Sequence, residues 1–288
     1  MSRLSTTRCD NLAVMDGLKK FTLWFLLPLL FIGCRAGVPL KTPQAELQEI
    51  ENAFLAGKWD EVITLGEKRL EGKPDNAVVH FVLSMSYYMT GKYEIQEQHR
   101  SLALEDEKNV DAIIAWCKDL VQKFPNNYYA YLLLGSAYRG KDEVDKAMES
   151  YQKAVEINPN FSDAYLGLGA IYFAEEKVDD AIKYIKKAVE INPKHLAAYY
   201  SLGLIYEYTD QTDEAIASYE KVIEINPGFK EAYINLGDLY LEKGDRDKAI
   251  KAYEKVIELD PENELAIYAK GAIEKAQGHS DTEAEKKP

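Results

Sequence analysis

The sequence predicts an all-α protein, a solenoid of antiparallel helix hairpins, and three observations carry that prediction. A stretch that begins at Tyr128 returns with a period of 34 residues: Tyr131, Tyr165, Tyr199 and Tyr233 keep the step, as do Gly135, Gly169, Gly203 and Gly237. Tyr138, Tyr172, Tyr206 and Tyr240 keep it too, with Ala147, Ala181, Ala215 and Ala249. A period this strict means stacked copies of one supersecondary unit. Each copy also holds two runs with helical spacing of apolar residues, separated by a polar turn such as 139–142. Finally, Pro159, Pro193, Pro227 and Pro261 close the copies. Proline lacks a backbone donor and turns the preceding residue out of helix, so each hairpin ends there.

With Tyr128 as position 1, aromatics fall at positions 4 and 11, glycine at 8, alanine at 20 and proline at 32. Glycine in a helix costs about 1 kcal/mol relative to alanine, so a glycine repeated at one position implies a close neighbour. The expected counter-surface is the alanine at position 20 of the same hairpin. The Tyr/Leu/Gly/Tyr, Ala/Tyr/Ala and Pro spacing resembles the tetratricopeptide repeat (TPR), in four regular units over 128–263. The resemblance implies a right-handed superhelix. Ile185 departs from the tyrosines at 151, 219 and 253 and is expected to loosen one aromatic contact.

Upstream, the pattern wears and then slips. Residues 43–76 and a unit beginning at Ala77 read as degenerate copies, with Gly66 and Arg69 at places that normally hold apolar side chains. From Ala77 to Tyr128 is 51 residues, one unit and a half. An extra helix over about 111–123 is therefore expected, with Ile113, Cys117 and Leu120 inward, making an irregular joint near 105–127. Residues 264–277 read as a capping helix with polar Lys270 and Glu274, and 278–288 as a disordered tail.

The N-terminus reads as an address. Lys19 and Lys20 precede an apolar run over 21–33, shorter than the roughly 20 residues that span a bilayer, and then Cys34. This favours a cleaved signal over 1–33, and reading from Met15 gives a signal of ordinary proportions. The segment before Cys34 resembles the lipobox of bacterial lipoproteins, which implies lipidation at Cys34, a short tether over 34–42, and repeats in the periplasm, at the outer membrane rather than the inner. The alternative is an uncleaved anchor with the repeats in the cytosol, acting as an adaptor or co-chaperone.

A net charge of −13 with no basic cluster excludes nucleic-acid binding and attraction to anionic lipid surfaces. The three cysteines are too few for a disulfide framework. The four histidines, His80, His99, His195 and His279, share no ligand spacing in sequence, and His195 reads as a solvated helix-end residue. No constellation for catalysis, cofactor or metal is found, and no small-molecule substrate is expected. The TPR resemblance implies a concave groove lined by first helices, using positions 2, 5, 6, 9, 12 and 13. Its candidate contacts are Tyr129, Leu132, Leu133, Ser136 and Arg139, then Asp163, Leu166 and Phe173, then Tyr200, Leu204, Glu207 and Tyr208. Glu231, Asn235, Asp238 and Glu242 complete the set. The run from apolar to acidic implies a protein partner, a helix or extended segment with an apolar end and a basic end.

Overall fold

The structure, a computed structural model, describes residues 44–262 and 264–284. The signal, Cys34 and the tether lie outside them. The chain divides between Ile191 and Asn192 into two compact units.

Among the described residues the first unit contains nine helices: α1 (Gln44–Leu55), α2 (Trp59–Gly72), α3 (Ala77–Met89), α4 (Tyr93–Ala103), α5 (Glu107–Lys123), α6 (Tyr128–Gly140), α7 (Val144–Ile157), α8 (Ser162–Ala174) and α9 (Val178–Ile191). The second has α10 (Leu196–Tyr208), α11 (Thr212–Ile225), α12 (Lys230–Glu242), α13 (Arg246–Leu259) and α14 (Glu264–Ala284). Successive helices pair into hairpins α1/α2, α3/α4, α6/α7, α8/α9, α10/α11 and α12/α13, with α5 unpaired between two of them. The expected all-α architecture of stacked antiparallel hairpins is therefore present. No helix among the described residues is long and apolar enough to cross a membrane.

The turn inside each hairpin repeats in its backbone as well as its sequence. Left-handed residues occur at Gly57 and Gly91, and then at Asp142, Glu176, Asp210 and Gly244. The interval is 34 everywhere except between Gly91 and Asp142, where it is 51. The phase slip read from the side chains is thus also a slip in the backbone. Helix ends repeat likewise: the side chains of Asn158, Asn192 and Asn226, each preceding a proline, accept a hydrogen bond from the amide two residues on, at 3.0–3.1 Å.

The glycine at position 8 has a different partner from the one expected. A Cβ on Gly135 would lie 2.7 Å from the Tyr151 ring; on Gly203, 2.5 Å from Tyr219; on Gly237, 2.4 Å from Tyr253. The close neighbour is the ring at position 24, not the alanine at position 20. At Gly169 the Ala181 carbonyl lies 3.1 Å from an added Cβ, and Ile185 is closer still, at 2.4 Å. The alanines are buried between the helices, which lets them approach, while the missing glycine side chain makes a seat for a ring that would otherwise fit nowhere. Tyr151, Tyr219 and Tyr253 are accordingly among the largest fully buried side chains. Ile185 fills the same seat without exposure, and Tyr184 beside it stacks on Tyr172 at 4.9 Å, so aromatic packing is shifted by one residue rather than lost.

In the worn repeats the roles exchange. Gly66, on a second helix, receives Leu83 from the next hairpin, whose Cδ2 would lie 2.7 Å from an added Cβ. The glycine that breaks the sequence pattern is therefore packed, not slack.

Helix α5 begins at Glu107, four residues earlier than expected, because Asp106 caps it by accepting from the Asn109 amide at 2.7 Å. It packs on α3 and α6 and is fixed to α1 by a buried bond in which Trp116 Nε1 donates to Glu51 Oε1 at 2.7 Å. Asn127 adds a second tie, donating to the Leu55 carbonyl at 3.0 Å. Cys117 is fully buried on this helix, and burial pushes its thiol well above the usual range. It is a packing residue.

At the other end, α14 runs to Ala284, past the 277 expected and into the segment read as a tail. It buries Ala269 and Ala272, while Ile267, expected inward, is 66 % exposed.

The seat explanation is checked by comparing two substitutions in urea or thermal unfolding. Gly203→Ala, which forces a Cβ into the Tyr219 ring, is expected to destabilise by about 2 kcal/mol despite alanine's better helix propensity. Gly271→Ala, where a Cβ meets nothing within 4 Å, is expected to be neutral or to stabilise by up to about 1 kcal/mol. Equal effects at both sites would remove the explanation.

Candidate functional site

Seating the position-24 ring also decides which first-helix residues remain available for contacts. The tyrosine reaches across the hairpin with its hydroxyl. Tyr151 shares a hydrogen bond with Ser136 at 3.1 Å. Tyr219 donates to Glu207 at 2.9 Å, and Tyr253 donates to Asp238 at 2.5 Å. Positions 9 and 12, expected to face a partner, are thus partly committed inside the protein. Position 6 is committed as well: a Cβ on Gly167 would lie 2.8 Å from the face of the Tyr151 ring, so that ring is held between two glycines.

Several expected contacts are therefore corrected. Leu133, Tyr200 and Leu204 are at most 1 % exposed and belong to the core. Tyr129 sits in a cluster of rings with Tyr128 (4.4 Å), Trp59 (5.1 Å) and Phe161 (5.2 Å), where Gly57 allows its approach. Phe173 is buried, while Tyr208 and Glu231 are half-buried and Glu242 is exposed. Asn235 donates to the Tyr200 hydroxyl at 3.4 Å.

In the second unit, carboxylates gather on α10 and α12. Burial raises Glu207 from its ordinary 4.5 to about 7; the Tyr219 hydroxyl opposes the shift, and the charges of Asp238 and Glu242 add to it. Asp238 is also raised by burial, against the hydrogen bonds it accepts from Tyr253 and Tyr268. This face is a crowded anionic one whose buried member is half-neutralised near neutral pH.

In the first unit, Leu132, Ser136, Asp163 and Leu166 do come together, in a cleft open to solvent of about 650 Å³. The opposite wall comes from residues that slot counting missed: Phe81, Met85 and Tyr88 on α3, and Gln96 and Arg100 on α4. Arg139 lines it too. Slot counting could not find Arg100, because the slots assume regular units and a first-helix lining. Here α4 is a second helix, and it reaches the lining in the region where the extra half-unit breaks the alternation.

Two histidines with no shared sequence spacing also meet. The Nδ1 atoms of His80 and His99 are 2.8 Å apart; His80 Nε2 lies 2.7 Å from the Pro74 carbonyl and His99 Nε2 lies 3.0 Å from Glu67. Tyr87 stacks on His99 at 5.4 Å and donates to Glu67 at 2.9 Å. A carbonyl and a carboxylate both accept, so the full chain calls for three ring N–H groups on two rings, one more than two neutral imidazoles carry. Burial acts in the other direction and lowers His99. The cluster ties α2, α3 and α4 together. His195 stands at the N-terminal end of α10, as expected, but is buried rather than solvated.

Comparison with known proteins agrees with the hairpin geometry. Family models described as tetratricopeptide repeat match residues 161–227 and 230–263, and one described as TPR repeat matches 135–175. Among curated proteins, outer membrane protein assembly factor BamD of Rickettsia prowazekii (strain Madrid E) is 29 % identical over 92 residues, 31 % of this chain and 33 % of that protein. The chain thus spans about a third of the length of the curated relative it matches. Among solved structures, MamA is 35 % identical, with 53 % of this chain and 90 % of that chain covered and a TM-score of 0.48. YrrB, described as a TPR protein with an unusual peptide-binding site, is 22 % identical, with 72 % and 97 % covered and a TM-score of 0.46. With three repeat models falling on the helix hairpins that share one turn and one glycine seat, the chain belongs to the tetratricopeptide-repeat family.

Proposed function

We propose that this protein is a non-enzymatic scaffold of a bacterial envelope, held to the membrane by lipid on Cys34 and engaging a cationic segment of a partner protein on the α10/α12 face. The tetratricopeptide-repeat fold is that of a protein–protein interaction scaffold family. The partner chemistry rests on one observation, the gathering of Glu207, Asp238 and Glu242 on this face, where burial lifts Glu207 to about 7 and the charges of Asp238 and Glu242 add to the shift. Carboxylates that raise one another's affinity for protons also favour a lysine or arginine brought by a partner. The proposed contacts on this face are Glu207, Tyr208, Glu231, Asp238 and Glu242, with Asn235 supporting Tyr200 beneath. In the first unit they are Leu132, Ser136, Asp163 and Leu166.

The anchoring is supported by the sequence alone, by Lys19, Lys20, the apolar run and Gly33–Cys34. An accessory role in assembly at the outer membrane is supported by the name of the curated relative, an outer membrane protein assembly factor, whereas a role in secretion or pilus formation has only the repeat layout behind it. The uncleaved, cytosol-facing alternative predicts opposite protease access in whole cells.

Three measurements bear on this reading. In cells fed a labelled fatty acid, Cys34→Ser is expected to abolish labelling and release the protein from membranes; unchanged mobility and retention would refute lipidation. Glu231→Lys with Glu242→Lys is expected to weaken capture of the partner from native membranes by about tenfold or more and to reduce its salt dependence. Indifference to both charges would remove the α10/α12 face from the function. The third measurement is pH dependence. Glu207 has a folded value near 7 against an ordinary 4.5, so the folded protein holds this proton where the unfolded chain has lost it. Its contribution to stability is present below about 4.5 and is lost as pH rises to 7. Glu207→Gln is expected to flatten the unfolding free energy between pH 5 and 8 by on the order of 2 kcal/mol, allowing for partial solvent screening; an unchanged slope would contradict the assignment.

A further inference from the structure

The cleft of the first unit has the opposite character from the chain as a whole. Against a net charge of −13, its lining carries two guanidinium groups, Arg100 and Arg139, and one carboxylate, Asp163. Arg100 is 6 % exposed. Its ion pair with Glu97 leads away to a side chain that is 41 % exposed, at the surface. Burial pulls Arg100 from 12.5 down to about 10, and although Glu97 opposes this, the charge of Arg139 adds to it, so the two cations act on one another in the same enclosed space. Desolvating like charges together is costly unless an anion joins them.

Arg139 supplies an independent sign. Its Nε is buried and meets no hydrogen-bond partner in the protein. The Nε–H edge of a guanidinium, with its neighbouring Nη–H, forms the fork that takes both oxygens of a carboxylate. A buried donor without an acceptor is unfavourable, and a carboxylate that met this edge of the guanidinium, turned toward the cleft, would relieve it. Around the arginines the lining is apolar: Phe81, Met85, Leu132 and Leu166. The cleft is open to solvent, so it can receive a side chain of an extended segment without enclosing a whole ligand.

We infer that this cleft binds an acidic side chain of a partner protein segment, its carboxylate held by Arg100 and Arg139 and its apolar neighbours seated on Leu132, Leu166 and Met85. The inference rests on the reading of the protein as an interaction scaffold but concerns a different surface and the opposite partner charge from the α10/α12 face. It also alters what slot counting implied, since a partner that is basic throughout would be repelled here. An acidic side chain suits the site better than a phosphate group, because the apolar walls reward flanking aliphatic side chains and the arginines offer one fork rather than a ring of donors.

The test uses the full chain and three blocked or free peptides: acetyl-Leu-Glu-Leu-amide, its glutamine analogue, and acetyl-Leu-Leu with a free C-terminus. Binding is followed by calorimetry and by the arginine Nε–Hε signals in nitrogen-edited NMR. The glutamate peptide is expected to bind at sub-millimolar concentration, to move the Arg139 Nε–Hε signal, and to exceed the glutamine analogue by about tenfold. Arg139→Gln is expected to erase that preference, and Arg139→Lys to retain part of it because the charge stays and the fork goes. Absence of binding at about 10 mM, equal binding of the glutamate and glutamine peptides, or an unchanged preference in Arg139→Gln would each overturn the inference. Tighter binding of the free-terminus peptide would assign the carboxylate to a chain end and overturn the side-chain assignment. None of these results depends on Glu231 or Glu242, so failure here leaves the α10/α12 reading to its own measurement.

Discussion

A side chain seated on a missing one holds each regular hairpin together, a tyrosine ring in three of them and Ile185 in the other. Tyr151, Tyr219 and Tyr253 are buried against glycines of their own hairpin, and no added Cβ could share that space. The arrangement explains why helices that would gain about 1 kcal/mol from alanine keep glycine at one position. Burying a large aromatic side chain contributes more than the glycine forgoes. The alanines at position 20 are needed for the helices to close, but they are not what the glycines accommodate.

This constraint extends to the surface. A tyrosine that lies flat across a hairpin brings its hydroxyl to the next row of the first helix, and a buried hydroxyl needs a partner. The residues that satisfy it are Ser136, Glu207 and Asp238, which belong to the proposed contact faces. The packing of the core therefore calls for polar residues at these positions and fixes their orientation. A carboxylate held by a tyrosine hydroxyl is a preorganised acceptor, so a cation can join it without the protein first ordering a side chain.

Much of this was legible in the sequence, and what was missed has identifiable causes. Period, hairpin boundaries and the slip of a unit and a half follow from residues such as Gly135, Ala147 and Pro159, because a strict repeat forces each copy into one conformation. The left-handed turn residues confirm the slip independently. The partner of the glycine was misassigned because spacing tells which residues share a face of one helix but not which neighbour fills a gap. Tyr151 and Ala147 are one turn apart on the same helix face, and only volume distinguishes them. Tyr129, Leu133 and Tyr200 were assigned outward because slots describe an average unit, whereas ring clusters and the close approach of the next helix are particular to each. The pairing of His99 with Glu67 and the action of Arg139 on Arg100 join helices of different hairpins, invisible to a reading that treats one unit at a time.

The irregular region shows how a break in a repeat creates a site. In the first unit, position 6 of one first helix closes on the ring of the preceding hairpin, as Gly167 closes on Tyr151. Between α3 and α6 the regular neighbour is replaced by α5, which packs on both and is fixed by the buried Trp116–Glu51 bond. Residues of α3, α4, α6 and α8 then line one open space, with Tyr151 and Gly167 among them. Two arginines, Arg100 and Arg139, stand on that lining in an otherwise acidic chain. An extra half-unit costs the repeat its regularity at one place, and at that place the surface acquires depth and a charge that the regular units cannot offer.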